Sequence, residues 1–326
     1  MHGSTTARMT RRATLALPWL AAAANAEPGY PARAIRMLVA YPPGGATDIV
    51  ARKVAEAIAP TLGQPVVVEN RPGGSGTIGT AEVARAAPDG YTLLAMDSSY
   101  AMLPYVFAKL PWDHARDLLP ITVFNFAPVI LTVRADARWP NLAAFLAEAR
   151  AAPEKITYGT GGVGSSLHFA GEWFQAAAGL RLLHVPFKGA GEATLGLLSK
   201  TVDAVFASIP SGMANLRAGT IRALAVCGAQ PSAALPDVPT FAAAGVAGFE
   251  MVNWTALAAP AGTSQAIADR LRTAVREALD SPGLRQFLDA QGATPGGQSP
   301  AEFAALLRRE IADWQGVASR AGIAPQ

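Results

Sequence analysis

The sequence predicts an α/β protein with two lobes and a helical C-terminal tail, for three reasons. Short aliphatic and β-branched runs alternate with helical patterns as far as Ala258, which is typical of βα units that build parallel or mixed sheets covered by helices. Only helical patterns follow after that point. The length of 326 residues has room for two ordinary domains of ~150 residues but hardly for three.

The predicted elements follow in chain order. A strand at 35–40 precedes a helix in which Val50, Val54 and Ile58 recur every fourth residue and so share one face. Further strands are predicted at 66–68, 92–96, 129–133, 156–159, 181–185, 202–206, 221–227 and 255–258. Further helices are predicted at 77–86 and around Phe145, Trp173, Leu271 and Leu307. A cleft between the two lobes is then the expected ligand site.

The first 26 residues have the pattern of an export signal. Arg8, Arg11 and Arg12 precede an apolar run at 13–24, which ends in an Ala-Asn-Ala site at 24–26. The run is shorter than the ~18 apolar residues of a membrane span. Cleavage there would remove three arginines and no acid from a chain of 27 basic and 24 acidic residues, which leaves no net charge. We therefore expect a periplasmic protein with no nucleic-acid partner.

The composition excludes several other classes of protein. Hydrophobic residues make up 51% of the chain and charged residues 16%, so a packed core is expected rather than disorder. The single Cys227 excludes an internal disulfide framework and any site with several cysteines. With no His-Glu-x-x-His motif and no cluster of histidines, the sequence predicts no metal and no cofactor.

Two glycine-rich loops are candidate anion sites. The loop from Tyr41 to Asp48 joins a strand to a helix, and Thr47 or Asp48 can cap that helix. Exposed backbone N–H groups at a helix start hold an anion without a lysine, although a plain strand–helix turn uses the same residue types. The loop at 159–166 repeats the design and ends in two serines, with Ser165 where a phosphate-binding loop needs lysine. Together these neutral loops suit a carboxylate.

Two enzyme hypotheses are weaker. The stretch 74–79 fits the glycine pattern of a dinucleotide-binding loop, with Asp97 as a ribose acid, but the extra residues 69–73 separate those glycines from the strand. An NAD-dependent oxidoreductase is therefore a poor alternative. Ser165 or Ser166 beside His168 suggests a hydrolase, yet no Gly-x-Ser-x-Gly elbow surrounds them. We expect no catalytic residues and no enzyme.

Motifs spread over the whole chain resemble one family. They are Tyr30-Pro31, Tyr41-Pro-Pro-Gly-Gly-x-Thr-Asp48, Val67-Val-Glu-Asn-Arg-Pro-Gly73, Pro88-Asp-Gly-Tyr91, Gly164-Ser-Ser-x-His168, His184-Val-Pro-Phe-Lys-Gly189, Leu235-Pro-Asp-Val-Pro-Thr240 and Ala258-Ala-Pro-Ala-Gly262. In this order they resemble the periplasmic receptors of tripartite tricarboxylate transporters, often called Bug proteins. The resemblance implies a type II, Venus-flytrap periplasmic binding fold with two crossover strands. It also implies a signal peptide at 1–26, a first lobe at 27–126 plus 252–326 and a second lobe at 127–251.

The resemblance further implies how a small organic acid is held. Its carboxylate would lie on the first loop, and the second loop would face it from the other lobe. The turn after Met96 and the end of the strand at 202–206 would line the rest. The candidate ligand-binding residues are Tyr41, Gly45, Ala46, Thr47, Asp48, Asp97, Ser98, Gly164, Ser165, Ser166, Asp203 and Ser208.

The resemblance also suggests partners, and the sequence departs from the family pattern at Asp97. The protein would be a monomer that presents its ligand to the membrane subunits of a transporter, or alternatively to a membrane sensor. Many relatives have a small residue where this chain has Asp97. A carboxylate that points into the cleft would repel a second carboxylate of the ligand and favour an amine.

Overall fold

The computed structural model describes residues 1–3 and 29–325, and the chain from Pro31 onward forms one compact unit. Nearly all of the predicted export signal at 1–26 lies outside the described residues, so it stays a prediction. Among the described helices, none combines the length and the apolar character that crossing a membrane requires.

The described chain alternates strands and helices. The strands are β1 (Ile35–Val39), β2 (Val66–Asn70), β3 (Thr92–Asp97), β4 (Leu118–Arg134), β5 (Thr157–Thr160), β6 (Leu183–Pro186), β7 (Ala204–Ser208), β8 (Ile221–Val226), β9 (Val252–Pro260) and β10 (Thr294–Pro295). The helices are α1 (Ala46–Leu62), α2 (Thr77–Ala84), α3 (Leu142–Ala151), α4 (Ser166–Ala178), α5 (Ala190–Leu198), α6 (Ile209–Arg217), α7 (Gln265–Asp280), α8 (Pro282–Ala290) and α9 (Pro300–Ala321). Short 3₁₀ helices lie at Gly74–Gly76 and Ser98–Tyr105.

Two mixed sheet regions share the long strand β4. The first has the order β2-β1-β3-β9-β4, and the second has the order β4-β7-β5-β6 with β8 also on β4. Pairs among β1, β2 and β3 and among β5, β6 and β7 are parallel, whereas β4 and β9 run antiparallel to their neighbours. We call the elements around these sheet regions the first lobe and the second lobe.

The chain crosses between the lobes at two adjacent places. Strand β4 pairs with β9 as far as Pro128 and with β7 and β8 from Val129 onward. The chain returns just before β9, where the Val129 N–H donates to the Met251 carbonyl at 3.2 Å. The predicted two-lobed α/β fold with two crossovers is confirmed, while the lobe boundaries 27–126 plus 252–326 and 127–251 stay proposals.

The packing explains why the helices next to the crossover hold their positions. The α1 face predicted from its repeat is buried at Val50, Val54, Ile58 and Leu62. In the second lobe, a cluster of fully buried phenylalanines packs mostly edge to face, with ring centroids 4.8–6.3 Å apart. Because burial of one such ring contributes ~1.5–3 kcal/mol, this cluster fixes α4, which contributes Phe174.

Some elements differ from the prediction. Strand β4 begins at Leu118, well before the predicted 129. The prediction missed the first part of the strand because Pro120 and Pro128 interrupt its apolar pattern. Helices α5, α6 and α8 were not predicted, since glycines or an N-terminal proline break their sequence repeat. The expectation that no strand follows β9 is wrong, because the two-residue β10 pairs with β4.

Candidate functional site

A small cavity lies between the lobes, where the loop before α1 faces the N-termini of α4, α5 and α6. Its volume is about 50 Å³, which is large enough to admit water and small polar groups. The residues around it come from both lobes and from β9. Its lining, as far as the structure describes it, contains the carboxylates Asp48 and Asp97 but no lysine or arginine.

Asp48 organises the loop of the first lobe. Its Oδ2 accepts a hydrogen bond from the Gly44 N–H at 3.1 Å, and its Oδ1 accepts from Asn70 Nδ2 at 2.9 Å and from Arg52 Nε at 3.0 Å. Burial by itself would raise the pKa of Asp48, but the bonds from Arg52, Asn70 and Gly44 lower it below its ordinary value. Asp48 is therefore a charged carboxylate whose charge Arg52 balances, rather than the cap of α1.

Asp97 also accepts several hydrogen bonds, but no cation within the described part of the chain contacts it. Its Oδ1 accepts from the Tyr41 hydroxyl at 3.2 Å and the Ser99 N–H at 2.9 Å, and its Oδ2 accepts from the Thr47 hydroxyl at 2.8 Å. Burial raises the pKa of Asp97, and the bonds from Thr47, Ser99 and Tyr41 offset only part of that effect. The cavity thus has one carboxylate without a counter-charge.

Three helices begin at the cavity without a side-chain cap. Their N-cap residues are Gly45 for α1, Gly189 for α5 and Ser208 for α6, and all three border the cavity. The N–H groups in the first turn of a helix have no partner within the helix, and the helix dipole places a partial positive charge there. The lining therefore combines positive helix ends from both lobes with the carboxylate of Asp97.

The two serines of the second loop have different roles. Ser165 caps α4, because its hydroxyl donates to the Gly162 carbonyl at 2.8 Å and accepts from the His168 N–H at 3.2 Å. Ser165 borders the cavity, so its role as a ligand residue stays a prediction, although its hydroxyl already makes these two bonds. Ser166 borders the cavity and is 4% exposed, and its hydroxyl has no hydrogen-bond partner among the described residues.

Two neutral histidines support the second loop from behind. Nδ1 of His168 accepts the Gly164 N–H at 3.3 Å, and its ring stacks on His184 with 4.3 Å between centroids. His184 Nε2 lies 2.7 Å from the Thr160 hydroxyl. Burial lowers the pKa of both rings, to about 3 for His184. The imidazole of His168 therefore holds the loop in place and makes no hydrogen bond to either serine hydroxyl within the described residues, which leaves the hydrolase hypothesis without support.

Several contacts join the lobes around the cavity. The Ser166 N–H donates to Ser99 Oγ at 3.0 Å, and Ser75 Oγ donates to the Val163 carbonyl at 2.6 Å. A Cβ added to Gly189 would lie 3.0 Å from Pro42 Cδ, so glycine at this position favours the close approach of the two loops. The stretch 74–79, considered above as a dinucleotide loop, thus contributes a contact between the lobes.

Most of the predicted ligand residues lie together. Those that border the cavity are Tyr41, Gly45, Ala46, Thr47, Asp48, Asp97, Ser165, Ser166 and Ser208. Whether they bind a ligand stays a prediction.

Three predicted residues do not border the cavity. Ser98 Oγ accepts the Trp254 N–H at 2.8 Å and ties β3 to β9. Gly164 has a φ of +83° and packs against Val106. Asp203 accepts the N–H and the hydroxyl of Thr157, at 3.0 and 2.9 Å, before the start of β7. In each case a local structural contact occupies the residue.

The sequence reasoning missed the wall formed by β9. Asn253, Trp254 and Thr255 border the cavity, and Asn253 is 8% exposed. Its Nδ2 donates to Ser208 Oγ at 3.1 Å, while its Oδ1 has no partner. No local pattern marks these residues, because only the pairing of distant strands brings them to the cavity. Gly189 ends the motif that begins at His184, but its position before a helix was missed because glycines break the repeat of α5.

Comparisons with known proteins agree with this geometry. The family model described as tripartite tricarboxylate transporter family receptor matches residues 50–323. The chain is 37% identical to Protein BugT of Bordetella pertussis over 295 residues, which is 90% of each chain. The matched family is one of receptors and not of enzymes.

Solved structures of similar sequence have the same fold. The R. palustris protein Rpa4515, solved with adipate, is 34% identical with a TM-score of 0.88, over 91% of this chain and 100% of that one. MatC from Rhodopseudomonas palustris, solved with bound malate, is 32% identical with a TM-score of 0.83, over 89% and 100% of the two chains. The predicted periplasmic-binding-protein fold is confirmed.

Proposed function

The chain belongs to the tripartite tricarboxylate transporter receptor family, and on that premise we propose that it is a receptor that captures a small organic acid in the cavity between its lobes. The observation that carries this proposal is the convergence of three uncapped helix N-termini, from both lobes, on one small cavity. Two similar proteins, solved with adipate and with malate, support a carboxylate as the ligand.

The available donors fit one carboxylate. The first-turn N–H groups of α1 and α5 and the hydroxyl of Ser166 approach the cavity from opposite lobes. A hydrogen bond to a charged group contributes ~1.5–3 kcal/mol, and a micromolar dissociation constant corresponds to about −8 kcal/mol. A few such bonds therefore supply a large part of the affinity without a lysine or arginine.

Closure of the lobes couples binding to a change in shape. A ligand that contacts donors on both lobes binds the closed form more tightly than an open one, so it shifts the population towards the closed form. The contacts Ser166–Ser99 and Ser75–Val163 then add to the stability of that form. We propose that the closed form is recognised by the membrane subunits of a tripartite tricarboxylate-type transporter, and that the receptor works in the periplasm after removal of 1–26.

A thermal-shift screen of short mono-, di- and tricarboxylic acids, with NAD as the comparison, tests this function. A ligand at 100 times its dissociation constant stabilises the folded state by ~2.7 kcal/mol, which corresponds to a rise of several degrees in Tm at ~2–4 °C per kcal/mol. We expect such a rise with at least one acid and none with NAD. A shift with NAD alone, or with no acid at all, would contradict the proposal.

A further inference from the structure

Asp97 places a carboxyl group in the cavity lining that no cation among the described residues contacts. The other carboxylate in the lining, Asp48, has Arg52 at 2.9 Å, whereas the groups of Tyr41, Thr47 and Ser99 that donate to Asp97 are neutral. A cationic donor on the ligand would supply the counter-charge that these neutral donors do not.

An unused acceptor lies in the same lining. Asn253 Oδ1 is buried and has no hydrogen-bond partner, although leaving a buried polar atom unpaired is costly. Asp97 is paired with Thr255 in the β3–β9 register, and Asn253 lies two residues from Thr255 on the same face of β9. The carboxylate of Asp97 and the amide oxygen of Asn253 therefore belong to one wall.

The helix ends at the cavity need an acceptor, whereas Asp97 and Asn253 need a donor. The N-termini of α1 and α5 offer donors and partial positive charge, which suits an anion. The cavity is thus divided into a side that needs an anion and a side that needs a donor, preferably a cationic one. A dicarboxylate would bring its second negative charge close to Asp97.

We propose that the ligand is a small zwitterion, an amino acid whose carboxylate lies on the helix N-termini and whose ammonium donates to Asp97 and Asn253. This inference rests on the proposed function and adds the second charge of the ligand. The raised pKa of Asp97 agrees with it, since burial without a counter-cation disfavours the ionised form and an ammonium would favour it.

Calorimetric titration with acid pairs that differ by one amino group tests the inference. Suitable pairs are alanine with propanoate, aspartate with succinate, and glutamate with glutarate. For wild-type protein we expect the amino member of at least one pair to bind 10-fold or more tightly than its partner. Asp97→Asn should remove that preference and Asp97→Ser should reverse it, whereas Asp280→Asn, which changes an exposed carboxylate paired with Arg285, should leave it unchanged.

The outcomes separate this inference from the proposed function. Tight binding of amine-free acids with no amino preference would overturn the inference and leave the proposed function standing. Binding of no member of any pair, together with a negative acid screen, would overturn both. Retention of a strong amino preference in Asp97→Asn would also overturn the inference, because the ammonium would then have another partner. The wild-type comparison decides the matter even if an Asp97 variant fails to fold.

Discussion

In the first lobe, the loop before α1 rests on a network of carboxylates, whereas in the second lobe the loop before α4 rests on two stacked imidazoles. Both loops join a strand to a helix and both are rich in glycine. We call the side of the cavity formed by the loop before α1 the first wall, and it contains the carboxylates of Asp48 and Asp97. We call the side formed by the loop before α4 the second wall, and it contains hydroxyl and backbone groups above neutral His168 and His184.

This difference indicates which wall determines the charge of the ligand and which wall contributes hydrogen bonds and shape. A wall with fixed charge selects the ligand by the sign of the groups that approach it. A neutral wall contributes hydrogen bonds and shape, and it works only while the groups behind it remain uncharged. Changes to the two walls should therefore have different signatures in pH, in stability and in ligand preference.

Acidification should weaken the second wall, and this is the largest effect that we expect. The folded-state pKa of His184 lies near 3, well below its ordinary 6.5, so its stabilising contribution is present above pH 6.5 and is lost as the pH falls. From pH 6.5 to 4, the unfolding free energy of wild type should fall relative to His184→Gln by up to ~1.4 kcal/mol per pH unit. Urea unfolding of wild type and His184→Gln at several pH values measures this difference in unfolding free energy.

Glu310 provides a control, because its contribution to stability should change with pH in the opposite direction to that of His184. Burial raises the pKa of Glu310, which accepts the Trp254 indole N–H at 2.8 Å, to about 7. Its contribution is present below pH 4.5 and is lost as the pH rises towards 7. Relative to Glu310→Gln, wild type should lose stability on that rise. Slopes of the same sign for both variants would contradict the opposite pKa directions of His184 and Glu310.

Removal of the Asp48 carboxylate should disrupt the first wall. Asp48→Ala removes the acceptor of the Gly44 N–H and one of the acceptors of Arg52 and of Asn70, so we expect the unfolding free energy to fall by about 2–4 kcal/mol. Asp269→Ala, which removes an exposed carboxylate 3.8 Å from Arg272, should cost less than ~1 kcal/mol. Equal losses in chemical unfolding would show that Asp48 is no more important than a surface charge.

The contacts between the walls should differ in strength with burial. Ser99 is 2% exposed, and Ser99→Ala leaves the buried Ser166 N–H unpaired in the closed form. Ligand binding should weaken by ~1–3 kcal/mol. Ser75→Ala removes a more exposed contact and should cost ~0.5–1 kcal/mol. Calorimetry of both variants with the same acid gives the order, and a larger loss for Ser75→Ala would reverse our interpretation of closure.

Local sequence patterns predicted the parts of the site that local physics determines. The loop at 41–48 and the helix after it could be predicted because glycines and prolines mark a strand–helix junction and apolar residues repeat every fourth position. The pattern could not show that Ser165 caps α4, since a cap and a ligand donor need the same hydroxyl. It also could not show that Asp203 bonds to Thr157, because that contact joins the start of β5 to the residue just before β7, 46 positions away in sequence.

The missing parts depend on distant pairing. Asn253 reaches the cavity because β9 lies between β3 and β4, and neither neighbouring strand is close to it in sequence. The N-terminal half of β4 was hidden for a related reason. Its prolines are tolerated where the register shifts beside Pro120 and where the strand passes between the two sheets near Pro128, and only the assembled sheets reveal those places.

The most direct test of the central claim, that uncharged helix-end donors hold the acid, removes one of those donors. Ala46 is the first residue of α1, and Gly45 before it is extended, with φ −79° and ψ 167°, so proline fits there and removes one N–H. Calorimetric titration of Ala46→Pro with the acid identified by screening should show ~10–100-fold weaker binding, which corresponds to a bond of ~1.5–3 kcal/mol. Gln265→Pro, at the equivalent position of α7 away from the cavity, should bind as wild type does. Undiminished binding by a folded Ala46→Pro protein would contradict the claim.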